Sequence, residues 1–366
     1  MIDREVGIVG EIIYEDQEIQ ELSVTIEDER YKAMNFVLLS GKCKLGDKVL
    51  LNTTAIRLKL GTGGYHYVIA NLDNCEEIQE KKGHIMKLRY TPLQMATQTM
   101  EEQGSSYHEC IKKFESLKGM PVIVGSLHSM VAPAAAFLKY YNPHLKITYI
   151  MSDGASLPIS ISKSVRELKI KKLIDHTITF GHAFGGDYEA VNLYTALIGA
   201  KEITKCDIAI VAMGPGIVGT GTKYGFTGIE QATIIDGVNT LGGNSIAIPR
   251  ISFSDKRTRH YGLSHHSITI FSKIVKTPTI ISFPRLKDKE RMNIIKDQII
   301  KNKLIEKHDI QYRDAGELEK ILEYFHIKVS TMGRNYFQDP EFFQSVAAAG
   351  KIALEKLDER RNFYGI

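Results

Sequence analysis

Apolar residues follow two different rhythms along the chain. Up to about residue 90 they come as short β-rich runs: Val6–Tyr14, Ile19–Ile26, Tyr31–Leu39, Lys48–Leu51 and Tyr65–Ala70. Acidic or Gly/Lys/Asp turns such as Glu27–Asp28–Glu29 and the stretch 40–48 separate them. None of these runs keeps a helical period, so residues 1–90 are expected to form a small β-barrel or sandwich. From residue 91 to 366 the rhythm becomes strand, loop, helix. Unbroken apolar strands are expected at Pro121–Val124, Ile147–Met151, His176–Phe180, Ile208–Met213, Ser245–Pro249 and Thr279–Phe283. Amphipathic segments at 129–141, 159–171, 188–203, 227–241 and 287–302 alternate with them, and the tail adds helices at Ala315–Phe325 and Glu341–Leu357. Continuous apolar strands covered by helices on both faces specify a mainly parallel, doubly wound, Rossmann-like α/β sandwich.

Right-handed crossovers put every strand C-terminus of such a sheet on one edge, and that edge carries the punctuation here. The strand ending at Met213 runs into Gly214–Pro215–Gly216–Ile217–Val218–Gly219–Thr220–Gly221–Thr222. Gly214, Gly216, Gly219 and Gly221 allow close backbone approach to a ligand, and Thr220 and Thr222 bring hydroxyls. No G-K-[ST] follows, so it is not a Walker loop. Gly214, Gly216 and Gly219 match G-x-G-x-x-G, but the loop falls late in the sheet, where a dinucleotide fold would want an early strand. Such a turn suits phosphate or carboxylate; a tight turn without a ligand is the plainer alternative.

Two other exits repeat the theme. Asp153 ends a strand with Gly154 after it, placed to orient a group, hold a metal or cap a helix. His182 stands among glycines, a position for acid–base chemistry, while Asp187 reads as the N-cap of the next helix. At Gly125–Ser126–Leu127–His128–Ser129 a serine and histidine adjoin without the nucleophile-elbow spacing. Ser129 reads best as a helix N-cap, with His128 able to face the pocket. In the barrel, Tyr65–His66–Tyr67 follow a glycine-rich hairpin.

The densest polar stretch is 250–269, with Arg250, Asp255, Arg257, Arg259, His260, His265 and His266. Arg257 and Arg259 suit an anionic ligand, and His260, His265 and His266 suit either proton transfer or metal ligation. The spacing H-x4-H-H matches no known zinc signature, so no metal ligands are assigned and the cofactor is left open.

Composition narrows the picture modestly. The 366 residues carry 47 Lys+Arg against 43 Asp+Glu, a formal charge of +4. That is too even for a nucleic-acid binder. No apolar run is long enough to span a membrane and the N-terminus lacks a signal-peptide pattern. Cys43, Cys75, Cys110 and Cys206 are scattered. They read as reduced thiols in a cytoplasmic protein.

The strings 46–71, 152–158, 181–192, 214–222 and 255–269, taken together, resemble an uncharacterised bacterial family classed as a domain of unknown function, number 3866. The resemblance covers nearly the whole chain. It brings no activity, cofactor or catalytic residue, and implies that barrel and α/β part belong together. The expected function is an enzyme, a hydrolase or group transferase, acting on a small phosphorylated, carboxylated or nucleotide-like molecule. Gly214, Gly216, Gly219, Thr220, Gly221 and Thr222 would cradle the anion, with Arg257 and Arg259 neutralising it. His182, His260, His265 or His266 would move protons, with Asp153 as orienter. The alternatives are a non-catalytic metabolite sensor or assembly protein, and a metal-dependent hydrolase built on His182, Asp187 and the histidine pair. The partner expected is a small anionic metabolite, with neither nucleic acid nor membrane; a homo-oligomer is compatible with the sequence.

Overall fold

The structure, a computed structural model, describes residues 2–60, 63–74 and 83–364. The chain divides into two units, Met1–Thr97 and Gln98–Ile366.

In the first unit, strands β1 (Arg4–Glu15), β2 (Ile19–Ile26), β3 (Glu29–Phe36), β4 (Lys48–Asn52) and β5 (Tyr65–Asn71) form a closed barrel. The order is β1-β2-β3-β5-β4, and β4 returns to β1. The β3/β5 pair is parallel and the others antiparallel. Period-two alternation sends Leu22, Val24 and Ile26 of β2 inward to meet Val49, Leu51 and Val68, which fixes the register. His66 is buried in the barrel against Tyr31, and burial lowers its pKa; Tyr65 donates to Glu21. A short hairpin, β6 (Ile85–Lys87) and β7 (Met95–Thr97), completes the unit. Cys75 lies outside the described residues.

The second unit holds an eight-stranded sheet of β8 (Pro121–Val124), β9 (Ile147–Ser152), β10 (His176–Phe180), β11 (Tyr188–Ala190), β12 (Ile208–Met213), β13 (Asn244–Ala247), β16 (Ile280–Pro284) and β17 (Asp309–Arg313). The two-stranded pair β14 (Ile251–Ser252) and β15 (Gly262–Leu263) lies outside it. The sheet order is β11-β10-β9-β12-β8-β13-β16-β17, and all of its strand pairs are parallel. Each central strand feeds two cores at once, which explains its unbroken apolar sequence. In β12, Ile208, Ile210 and Ala212 face one layer and Ala209 and Val211 the other. Helices Val131–Tyr141, Lys163–Ile170, Leu318–Tyr324 and Pro340–Tyr364 cover the first face; Leu193–Glu202, Gln231–Thr240 and Lys289–Lys301 cover the second.

Three local expectations are corrected. Residues 188–190 are the strand β11 rather than the start of a helix. The following helix is capped by Asn192, whose side chain accepts from Tyr194 and Thr195 in a capping box. Asp187 instead accepts from the backbone and hydroxyl of Thr177 and pairs with Lys169. Ser129 caps nothing: its hydroxyl donates to Thr331. None of the described helices is long and apolar enough to cross a membrane.

Candidate functional site

The strand order locates a crevice. From β8 the chain moves to β9 on one side, leaving a slot that β12 later fills; from β12 it crosses to β13 on the other side of β8. Connections leaving adjacent strands in opposite directions open a gap at their C-terminal ends, where ligands bind in open α/β sheets. Here β8 ends at Gly125–Ser126–Leu127–His128 and β12 at Gly214–Pro215–Gly216–Ile217. A cavity of about 370 Å³ lies against both exits, lined by 127–129, 214–217, Ala132, Ser164 and 328–332. Among the described residues that line it, Lys328 is the one with a charged side chain, Ser129, Ser164, Ser330 and Thr331 bring hydroxyls, and none is acidic. Among the described residues no backbone acceptor takes the N–H of Gly216 or Ile217. Gly216 has φ +102°, a conformation that a side chain resists.

The glycine-rich loop is therefore two structures in one. Its first half, Gly214 to Ile217, lines the crevice. Its second half folds on itself: Gly219 bridges to Phe226, and Val218 and Thr227 bond each other. Thr220 and Thr222 bond one another at 2.9 Å, and both close onto Gly225. Thr220, Gly221 and Thr222 are exposed and do not line the cavity. The two threonine hydroxyls hold the hairpin.

The other exits meet the same sheet edge. Gly181 has φ +66°, and a Cβ there would fall 2.6 Å from Asp153 Oδ2, so only glycine lets the two exits touch. His182 follows it, half-buried. Asp153 Oδ1 is buried without a hydrogen bond. Beside it stands Glu230, which sequence reasoning missed because an acid at a helix start is ordinarily a favourable charge on the dipole. Burial, with the neighbouring Asp153 charge, raises the Glu230 pKa, while a hydrogen bond from Ser152 opposes the shift. Gln231, fully buried, donates to Val124 and Ile248 and ties the helix start to β8.

His128 lies in the cavity wall but is held on both sides. Its Nδ1 is 3.2 Å from Tyr149 Oη and its Nε2 2.6 Å from Ser162 Oγ. Tyr149 Oη donates on to Ala212 O at 3.2 Å. Burial pulls the imidazole down to about 4, so it is neutral at pH 7. The arrangement resembles a nucleophile relay, but Ser162 is 4% exposed and caps the helix Lys163–Ile170. It is a structural bond chain.

The 250–269 segment forms a separate cluster. The rings of His260 and His265 are 4.8 Å apart, those of His260 and His266 5.1 Å, and those of His265 and His266 4.2 Å. The hairpin half of the glycine loop reaches them. His266 stacks on Phe226 at 3.9 Å, and a Cβ on Gly219 would lie 3.6 Å from His266 Cε1. Burial pulls both His260 and His266 down to about 3, and lowers His265 with help from Arg259, Arg250 and Arg257. Arg257 is committed to Asp255 through Nε at 2.9 Å and Nη2 at 2.7 Å, and Arg250 shares that carboxylate. The Arg257 contacts hold Asp255 well below the usual carboxylate range. Arg259 is exposed. The structure thus places Gly214 and Gly216 in the crevice, Asp153 next to Gly181 at the same edge, and the three histidines at the loop's far end.

Fold and crevice define a doubly wound, all-parallel α/β protein that carries a five-stranded barrel ahead of it and a hollow at its switch point. The chain belongs to the family described as protein of unknown function DUF3866, which it matches over residues 32–350. No curated protein matches it.

Proposed function

We propose that the second unit is an enzyme, a hydrolase or group transferase, for a small phosphorylated or carboxylated metabolite bound between the ends of β8 and β12. The observation that supports this most is the cavity lining: Lys328, hydroxyls and open N–H groups, with no acid among the described lining residues. Such a surface attracts an anion and offers it directional donors. Glu230 and Asp153, one loop away, are the proton-handling pair, since the raised Glu230 pKa suits a general acid. The incomplete dinucleotide pattern argues against hydride transfer. Cys43 and Cys206 are buried, their thiols pushed up to about 11 and about 12 by burial, which suits a reducing bacterial cytoplasm.

The test is a native mass spectrometry screen of the full chain against phosphorylated and carboxylated metabolites, followed by incubation with any ligand found. Lys328→Glu should weaken binding by about tenfold or more, and Glu230→Gln should stop turnover with binding retained. Unchanged affinity in Lys328→Glu rejects the crevice. A second reading, a sensor that returns its ligand unaltered, draws on one observation: His128, the only imidazole in the lining, has both nitrogens engaged. Ligand recovered intact after prolonged incubation selects it.

A further inference from the structure

We propose that His260, His265 and His266 form a three-imidazole site for a borderline divalent metal ion, zinc being the first candidate, with a fourth position open to an oxyanion or water.

One nitrogen from each ring can be chosen so that all three lie within 4.8 Å of one another. Nitrogens bound to one tetrahedral zinc at 2.0–2.1 Å stand about 3.3 Å apart, so ligation draws the rings together by up to about 1.5 Å. The groups needed for this are in place. His260 is 1% exposed and its Nδ1 lies 2.8 Å from Ser264 Oγ. The tautomer that donates Nδ1–H to that oxygen leaves Nε2 with a bare lone pair, the usual way an outer partner orients a metal-binding histidine. His265 Nε2 is buried and has no hydrogen-bond partner. A buried polar atom left unsatisfied is costly, and a metal ion removes that cost. His266 is oriented by its stack on Phe226. Gly219, beside His266 Cε1 and Nε2, keeps that side free of a side chain. The helix His265–Thr269 continues as a π-helical turn, Ile270–Ile274, a distortion that frequently accompanies functional sites.

Arg250, Arg257 and Arg259 face the cluster, with Asp255 as counter-charge. A dication on three neutral ligands amid this positive field selects an anionic fourth ligand. Imidazole ligands select zinc, copper, iron or nickel over magnesium or calcium, and three histidines with an open position are the catalytic type of zinc site. The assignment rests on none of the crevice residues and stands or falls separately from the proposed function.

The experiment uses the full chain, stripped with chelator and titrated with ZnCl₂ by calorimetry, with elemental analysis of the product and a parallel CoCl₂ titration followed in the visible. One zinc per chain is expected, with the d–d bands of four-coordinate cobalt. His265→Ala and His266→Ala should each weaken zinc by on the order of 100-fold, and Ser264→Ala by about tenfold. His260 is too deeply buried for its loss to be read cleanly, so the partly exposed pair carries the test, with circular dichroism confirming that each variant folds. Calcium should not compete. Absence of stoichiometric zinc, or affinity unchanged in a folded His265→Ala, overturns the site; so does binding that Lys328→Glu abolishes and His265→Ala does not.

Discussion

Two histidine environments flank opposite halves of the glycine-rich loop, and burial lowers the pKa in both. His128 and the trio His260, His265 and His266 all have lowered pKa values with burial as the first cause. The difference is what meets the nitrogens. His128 has a hydroxyl on each, and each hydroxyl has a further partner, the Ala212 carbonyl for Tyr149 and the Val165 N–H for Ser162. The trio has one outer partner, Ser264, and one buried nitrogen with none. A pKa depressed chiefly by burial therefore does not by itself mark a ligand. The unspent lone pair is what distinguishes a ligand from a strut.

The comparison breaks most sharply at His128. Replacing it by alanine removes one hydrogen-bond partner from each of the buried hydroxyls of Tyr149 and Ser162 and enlarges the cavity that it lines. A loss of about 2–4 kcal/mol in urea unfolding is expected, with zinc affinity unaltered. Next in size is the acid limb of stability. His128 has its folded pKa below the ordinary value of 6.5, at about 4, so the unfolded chain binds the extra proton first. Its contribution is complete above pH 6.5 and declines as pH falls toward 4, by about 3 kcal/mol in all. His260 and His266, lowered to about 3, extend the same decline. Unfolding free energies between pH 7 and 4 should therefore fall in wild type and fall less steeply in His128→Gln. The smallest effect is at Thr222, whose hydroxyl only closes the exposed hairpin. Thr222→Ala should cost about 1 kcal/mol or less and leave ligand binding in the crevice unchanged. A large loss of ligand affinity there would restore the threonines to the anion site.

The fold was legible because period and punctuation agreed: period-two alternation in the barrel, unbroken strands after it, and glycines where β12 and β10 end. What was not legible came from contacts distant in sequence or from short elements. β11 is three residues long and only Ala190 of it is buried, so its sequence merges with the helix that follows. Its true boundary was nonetheless written as Asn192 with Thr195 three residues on. β17, Asp309–Arg313, carries too many polar residues to read as a buried strand, and it sits at the sheet edge. At the site, the histidine cluster was visible as a string, and so was Gly214–Gly216. Lys328 and Thr331 were not, because only the folded chain brings 328–332 against a loop more than a hundred residues earlier. Arg257 illustrates the opposite limit: its charge suggested a ligand, but Asp255 two residues before it takes its Nε and Nη2.

The most direct test of the distinction is the zinc stoichiometry of three chains measured side by side after chelation and reloading. Wild type and a folded His128→Gln should each hold one equivalent, and His265→Ala should hold none at zinc concentrations that saturate the other two. Equal loading in all three, or loading that depends on His128 and not on His265, would contradict it.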